Sequence, residues 1–444
     1  MYLKRNIDRD LEEWKTDPFR KPLLVRGARQ VGKSSAIREF SRQFDYFLEI
    51  NFEEQKRVHV LFNGDLSPAA LCDNLSVLYN IPVIPGRTLL FFDEIQSCIP
   101  AITSLRFFYE KIPELHLIAA GSLLEFALEE LPSFGVGRVR TMFMYPFSFG
   151  EFLVALKEET LLHAKQNASV KEPLTEVLHQ KLLNHLRRFL VLGGMPEVIA
   201  RYSQTKDTLA CQKILDDLII SLEADFTKYK KRVPPSRLTE VFRSVTRQTG
   251  FKFTYSQVSA DANHKQIKEA LELLIMSGLV IPVTHSSGNG IPLGAERNVK
   301  KRKMLIFDTG VFQRLLGLEI SDVLFQDNFN MVNKGSIAEL FVGLEFIRTS
   351  SSFQHQQLYY WHREALNSHA EVDYLIQLHQ EIIPIEVKAG TKGSMQSLFL
   401  FLHEKKRPFG IRFSLENYSS YEKVFSYPLY AVGELTQERN DRLR

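Results

Sequence analysis

Apolar positions in the first 120 residues gather into short, mostly unbroken runs that end in polar or acidic residues. These are Leu23–Val25, opening LLVRGARQVGKSS, then Tyr46–Phe52 (YFLEINF), Thr88–Gln96 (TLLFFDEIQ) and Leu115–Ala120, which leads into Gly121-Ser122. A strand buried on both faces reads as a continuous apolar run, so this pattern predicts a parallel sheet with its carboxyl ends facing a ligand crevice. The intervening segments have helical spacing. Leu3, Ile7, Leu11 and Trp14 mark a short helix before Pro18, a second helix is expected over about 33–43, and helical pieces over 55–80 are broken by Pro68 and then by Pro82 and Pro85.

The later pattern divides again. Amphipathic helices are expected over about 176–192 and 207–229, and Pro234-Pro235 marks a boundary. Arg237–Gln248, Tyr255–Ala260 and Lys265–Ser277 read as three helices, the last ending at Gly278, and Leu279–Val283 as a strand opening a hairpin. Three helices followed by a β-wing predict a winged helix-turn-helix. Met304–Thr309 is another apolar strand, leading to a turn at Gly310, and Asp308 has no evident role there beyond capping the next helix. After a polar loop over 319–332 come a helix over Gly335–Arg348, strands over Gln357–Trp361, Ala370–Gln377 and Ile382–Val387, a helix near 394–404, strands near 409–413 and 428–432, and a polar tail from Thr436.

Composition bounds these readings without deciding among them. The 444 residues, 44% hydrophobic and 24% charged, suit two to four globular domains, and a net charge of +4 is too small to imply nucleic acid by itself. Core packing accounts for the 33 phenylalanines. Cys72, Cys98 and Cys211 are far apart and odd in number, which predicts reduced thiols in a cytoplasmic compartment and no zinc site. With no signal-like start and no apolar run of about eighteen residues, neither secretion nor a membrane span is expected.

The chemistry is concentrated in Gly27-x-x-x-x-Gly32-Lys33-Ser34, a complete P-loop. Gly27, Ala28, Arg29, Gln30, Val31, Gly32, Lys33, Ser34 and Ser35 would cradle the phosphates of ATP with backbone N–H groups and a helix N-terminus. Lys33 would reach the β- and γ-phosphates, and Ser34 would hold Mg²⁺. Asp93 at the end of its strand would join the Mg²⁺ shell, and Glu94 would orient the attacking water; an acidic helix cap is the bland alternative. Ser122 is either a polar sensor between these acids and the γ-phosphate or a simple turn serine.

Taken in order, GARQVGKSS, FFDEIQ, IAAGSLLEF, GRVRTMFMYPFSFGEFL, LGGMPEV, FDTG and EVDYLIQ…IPIEVKAG give the chain a resemblance to AAA+ ATPases. More narrowly, it resembles bacterial and archaeal ATPases that join an AAA-type domain to a C-terminal domain of unknown function. The resemblance implies a P-loop core over residues 1–155 and a helical lid over 156–233. It makes Arg138 a candidate arginine finger or inter-subunit sensor, with a surface loop arginine as the equal alternative. Gly194-Met195-Pro196 is similar to the Gly-x-Pro motif of signal-transduction and initiator-like ATPases, which would set Pro196 against adenine; a helix cap followed by proline is the other reading.

The expected winged helix spans 234–290. Its third helix offers only Lys265, Gln266 and Lys268 at an exposed start, a thin footprint for DNA, so protein contact stays open. The run Lys300-Lys301-Arg302-Lys303 would touch phosphates or form a solvated hairpin tip.

Over 291–444, the order of a helix then three strands resembles the PD-(D/E)xK nuclease core, a restriction-endonuclease-like α/β fold. Asp373 lies on the middle strand, and Glu386 and Lys388, two apart on the next, share a face. With Glu339 they would hold one or two Mg²⁺ ions, leaving Lys388 to polarise water or the scissile phosphate. His355, His362, His369 and His379 show no paired metal spacing.

These readings add up to an α/β protein that binds and hydrolyses ATP and acts on or is bound to DNA, with a nuclease-like C-terminal domain whose metal-dependent cleavage, licensed by ATP turnover, is one of two open classes. The alternative is a nucleotide-dependent switch whose winged helix and inactive nuclease-like domain bind DNA or a protein partner without cleavage. A small-molecule P-loop kinase leaves the later modules without a place. A homo-oligomer is expected if Arg138 acts on a neighbouring subunit, and no membrane is involved.

Overall fold

The computed structural model describes residues 2–122, 124–129, 137–229, 232–259, 263–320, 334–364, 370–390 and 393–436. The chain divides into two compact units: one comprises Met1–Tyr145 with Met276–Gly278 and Ser351–His355, the other Pro146–Ile275, Leu279–Ser350 and Gln356–Arg444.

In the first unit the unbroken apolar runs are strands, as their pattern requires. β1 (Leu23–Arg26), β2 (Tyr46–Asn51), β3 (Thr88–Asp93), β4 (His116–Ala120) and β5 (Arg140–Phe143) form a sheet of order β2-β3-β4-β1-β5 among the described residues. Each adjacent pair is parallel. Every residue of β3 and β4 is buried, so both faces are covered. One face carries a phenylalanine cluster in which Phe52, Phe62, Phe92 and Phe108 meet edge-to-face at 5.3–6.2 Å between neighbouring ring centres. The first helix, Asn6–Thr16, buries Ile7, Leu11 and Trp14, and the Trp14 ring N–H donates to the Lys21 carbonyl at 2.8 Å.

The second unit begins with a capping box that the sequence Ser148-Phe-Gly-Glu151 dictates. Ser148 Oγ accepts from Glu151 N–H at 3.2 Å and Ser148 N–H donates to Glu151 at 2.7 Å, starting the helix Phe149–Ala155. Helices Glu159–Asn167, Glu176–Leu192, Pro196–Thr205 and Thr208–Asp225 follow. Pro235–Gln248 and His264–Met276 are the expected helices of the next segment, but Tyr255–Gln257 is a single 3₁₀ turn where a short helix over 255–260 was expected.

A sheet of order β12-β13-β11-β10-β9-β8-β6-β7 occupies the rest. Its members are β6 (Val280–Ser286), β7 (Arg297–Ile306), β8 (Leu358–His362), β9 (Glu371–Leu378), β10 (Glu381–Val387), β11 (Gly410–Ser414), β12 (Ser419–Tyr421) and β13 (Val424–Pro428). β6 pairs antiparallel with β7 and parallel with β8, so the hairpin expected to be a separate wing belongs to the same sheet as Asp373 and Glu386. The division expected at 290/291 therefore falls inside one hairpin. The last strand is Val424–Pro428, not 428–432: the apolar run after Pro428 is a buried 3₁₀ turn, in which the Tyr430 hydroxyl lies 2.8 Å from the His179 ring.

A buried ion pair ties this unit together and accounts for two sequence motifs. Asp308 accepts from Gly310 N–H at 2.9 Å and Val311 N–H at 3.2 Å as a helix cap. It also accepts from Gly194 N–H at 2.7 Å and from the Arg348 guanidinium at 3.2 Å. Arg348 donates further to the Phe147 and Phe307 carbonyls, both at 3.0 Å. Gly193, at φ 75°, has its backbone against the Asp308 carboxylate, where a β-carbon would overlap it. The LGGMP glycines and the FDTG aspartate are thus partners in one contact.

Two stability measurements follow. Asp308→Ala leaves Arg348 buried without its carboxylate and should cost about 3–5 kcal/mol in urea unfolding of this unit; a loss below about 1 kcal/mol would show that the pair is not compensated as described. Glu345, buried and accepting from Phe149 N–H at 3.0 Å, is pushed up to about 7, chiefly by burial and against the attraction of Arg348. The native state then keeps a proton that the unfolded chain loses, so stability should fall as pH rises from about 4.5 to about 7. Glu345→Gln should flatten that fall in unfolding curves taken across the interval.

Candidate functional site

The first unit builds its site at the carboxyl end of β1. The chain turns there through Gly27 at φ 147°, Gln30 at φ 63° and Gly32 at φ 97°, and the helix Lys33–Phe40 begins. A side chain at Gly27 would run into the Met144 carbonyl, because Met144 N–H donates to the Arg26 carbonyl at 2.8 Å and holds that backbone close. Lys33 is buried, and its ammonium donates to the carbonyls of Gly27 at 2.9 Å and Ala28 at 2.8 Å. Burial pulls Lys33 down to about 8, against the attraction of Glu94 and Asp93.

The Ser34 hydroxyl donates to Asp93 Oδ2 at 2.9 Å, which brings the start of the helix to the end of β3. Asp93 is buried, and that burial raises its pKa against the Ser34 hydrogen bond. Glu94 follows at φ 47°, a left-handed conformation costing a non-glycine residue roughly 1 kcal/mol. Its N–H donates to Asp93 Oδ1 at 3.1 Å. Glu94 Oε2 accepts from Gln96 Nε2 at 2.5 Å and from the Ser122 hydroxyl at 3.3 Å. Of the residues expected here, Lys33, Ser34, Asp93, Glu94 and Ser122 form one connected group. Gln96 belongs to it as well, and its position two residues past Glu94 on the following turn is the signal that sequence reading passed over.

Arg138 lies apart from that group, exposed and ion-paired with Glu110. Pro196 belongs to the second unit, at the first turn of helix Pro196–Thr205, where its fixed φ suits the position.

The second unit carries a cluster of acids on its sheet and on helix Lys334–Arg348. Glu339, Asp373 and Glu386 were expected there with Lys388. Lys388 Nζ is 2.5 Å from Glu386 Oε1, and Asp373 Oδ2 accepts from Val387 N–H at 2.8 Å. The basic run proves to be strand β7, and three of its four cations are paired. Lys301 meets Glu364 at 2.5 Å, Arg302 meets Glu272 at 2.8 Å, and Lys303 turns into the sheet.

Lys303, with 1% of its side chain exposed, sits 2.8 Å from Glu339 Oε1, 2.5 Å from Glu371 Oε1 and 3.9 Å from Asp373 Oδ1. Burial opposes its charge, but Glu339, Asp373 and Glu371 together outweigh that and hold its pKa above the lysine range. Burial raises Glu339 and Asp373 against the pull of Lys303, and it raises Glu386 together with the charge of Asp373. Glu339, Asp373 and Glu386 were expected to form a metal set; among the described residues no group of three or more His, Cys, Asp or Glu side chains that could hold a metal ion is found. Lys303 and Glu371 were missed by sequence reading. Glu371 shares the face of Asp373 by strand alternation, and the apolar run directly after Lys303 marks a strand entering the core.

His355 packs on Phe143 in the first unit at 5.1 Å between ring centres, and His379 is exposed in the turn between β9 and β10. His369 lies outside the described residues, as do most of the 319–332 loop and the tail beyond Thr436. All three cysteines are buried and unpaired. Among the described residues, no helix is long and apolar enough to cross a membrane.

Comparison with known families gives three matches in succession. Residues 19–153 match an AAA domain, 183–322 a domain of unknown function (DUF8612), and 334–431 a second domain of unknown function (DUF4143). The chain thus carries an AAA-type ATPase domain, a P-loop NTPase, joined to uncharacterised domains. No curated protein matches it. Among solved structures it is similar to the Walker-type ATPase PABY2304 of Pyrococcus abyssi, at 16% identity and a TM-score of 0.45 over 71% of this chain and 96% of that one. It is also similar to the Aeropyrum pernix ORC1 protein in complex with DNA, at 14% identity and a TM-score of 0.28 over 74% and 94% of the two chains. The Thermotoga maritima RuvB Holliday junction branch migration motor matches at 14% identity and a TM-score of 0.29 over 71% and 96%.

Proposed function

We propose that this chain binds and hydrolyses ATP and acts on or is bound to DNA, through a winged helix and a nuclease-like sheet that follow the ATPase domain. The observation that carries the ATPase part is the contact of Ser34 with Asp93 beside Lys33 and Glu94. Two hard oxygen donors 2.9 Å apart suit neighbouring positions in an Mg²⁺ octahedron, whose edges are about 3 Å at usual Mg–O distances. Ser34 and Asp93 would therefore hold Mg²⁺, which when bound neutralises charge building on the phosphate oxygens.

Lys33 would exchange the Gly27 and Ala28 carbonyls for phosphate oxygens. Glu94, aimed by Gln96 and Ser122, would take the proton of a water whose oxygen bonds to the γ-phosphorus as the bond to the β–γ bridging oxygen breaks and ADP leaves. Arg138, ion-paired to Glu110 on this chain, would have to exchange that partner to act as a finger in a neighbouring subunit.

The DNA part rests on the order of helices Pro235–Gln248 and His264–Met276 followed by the β6–β7 hairpin. Lys265, Gln266 and Lys268 are exposed at the start of the second of these helices. A second reading, a nucleotide-dependent switch that binds DNA or a protein partner without cleaving, is favoured by one observation. Lys303 and Lys388 already lie against the carboxylates that cleavage would need for metal.

Lys33→Ala should weaken ATP binding by about 10–100-fold; unchanged affinity in calorimetry would refute the P-loop assignment. Glu94→Gln should bind ATP within about twofold of the parent while turnover falls about 10²–10⁴-fold; normal phosphate release would exclude Glu94 as the base. DNA binding should weaken steeply with salt, and Lys265→Ala with Lys268→Ala should lower the log–log slope by about two. A flat salt response would leave a protein partner for this surface.

A further inference from the structure

The acid cluster of the second unit contains its own cation. Lys303 is on β7, at the edge of the sheet, yet its ammonium is turned inward among Glu339, Glu371 and Asp373 and lies 5.2 Å from the centre of the Tyr360 ring. Three carboxylates and an aromatic face surround the ammonium and compensate its charge, and two of the carboxylates, Glu339 and Glu371, lie within hydrogen-bond distance of it. A divalent ion in a carboxylate site sits about 2.0–2.6 Å from its oxygens. An ammonium nitrogen 2.8 Å and 2.5 Å from Glu339 and Glu371 fills the same space, and two cations cannot share it.

The other carboxylates are engaged as well. Asp373 Oδ2 accepts from Val387 N–H, and Glu386 Oε1 accepts from Lys388. Glu386 Oε2 is buried without a hydrogen-bond partner, a single donor atom where a metal needs several.

We propose that the Lys303 ammonium is the resident cation of this site, standing where a divalent ion would stand, so that Glu339, Glu371 and Asp373 bind no Mg²⁺ or Mn²⁺ in the native protein. Lys303 is a positioning residue: it holds the helix acid Glu339 against the strand acids Glu371 and Asp373. The functional consequence, a surface that engages DNA without cutting it, rests on the switch reading above; the identity of the cation does not.

The test is a Mn²⁺ titration of the full nucleotide-free chain, with free Mn²⁺ followed by electron paramagnetic resonance. Asp93→Asn is carried throughout to remove the oxygen site beside the P-loop. Adding Asp373→Asn to this background should leave the isotherm unchanged. Adding Lys303→Met instead, which keeps an apolar stem of similar length, should create one site at least about tenfold tighter than anything in the background, and Asp373→Asn should then abolish it. Mn²⁺ binding with Lys303 present that Asp373→Asn weakens overturns the proposal, and so does a folded Lys303→Met protein that gains no site. Should Lys303→Met fail to fold, the comparison of the background with and without Asp373→Asn decides alone. A separate filter-binding assay with duplex DNA in EDTA keeps the two ideas apart: absent DNA binding removes the switch reading on DNA and leaves the manganese result to stand by itself.

Discussion

The contact between the Ser34 hydroxyl and the Asp93 carboxylate requires two segments 59 residues apart to end at the same height on one sheet. β4 lies between β3 and β1, so the distance is set by two ladders, Leu89 opposite His116 through Phe92 opposite Ala119, and Leu23 opposite Ile118 through Val25 opposite Ala120. A slip of one residue of β3 against β4 would turn Asp93 to the opposite face, since side chains alternate along a strand, and a slip of β1 against β4 would shift the P-loop along the sheet relative to it. What prevents the slip is burial on both faces, with Phe92 fixed by Phe52, Phe62 and Phe108. The core packing and the chemistry are therefore one constraint, and the left-handed Glu94 is tolerated because the strand before it is so firmly held.

The second unit handles buried charge in two ways. Asp308 is fully buried and is met by three backbone N–H groups and one guanidinium, a compensated arrangement whose yield is geometry: it locks Gly194, the helix Thr309–Leu315 and Arg348 together. The sheet cluster is not balanced by its lysines alone. Glu339, Glu371, Asp373 and Glu386 outnumber Lys303 and Lys388, and burial raises the pKa of Glu339, Asp373 and Glu386. Desolvation works against the charged form of such groups, and the ammonium of Lys303 works for it at Glu339 and Asp373.

The sequence was most legible where burial on two faces or a local backbone motif left its mark. β1, β3 and β4 could be read from their apolar runs, and the P-loop from spacing, because a tight turn and a helix start are local events. Glu339, Asp373, Glu386 and Lys388 also emerged from order and alternation. Lys303 did not, because four consecutive basic residues suggest solvent, and only the sheet reveals that Lys301 and Arg302 are paired outside while Lys303 turns in. Gly193, Gly194 and Asp308 were similarly opaque. Asp308 lies more than a hundred residues from Gly194, so its close approach to the two glycines left no local mark in the sequence.

The two acid sites differ in what opposes the acid. At Asp93 the partner is a neutral hydroxyl, which can itself become a metal ligand, and the nearby Lys33 is held by carbonyl oxygens that a phosphate can replace. At Asp373 and Glu339 the partner is a buried ammonium attached to the sheet, and removing it would strand three carboxylates in a low-dielectric interior. An exchangeable cation is thus cheap at the first site and costly at the second. The two sites oppose their acids differently: a neutral hydroxyl faces Asp93, and a buried ammonium faces Glu339, Glu371 and Asp373.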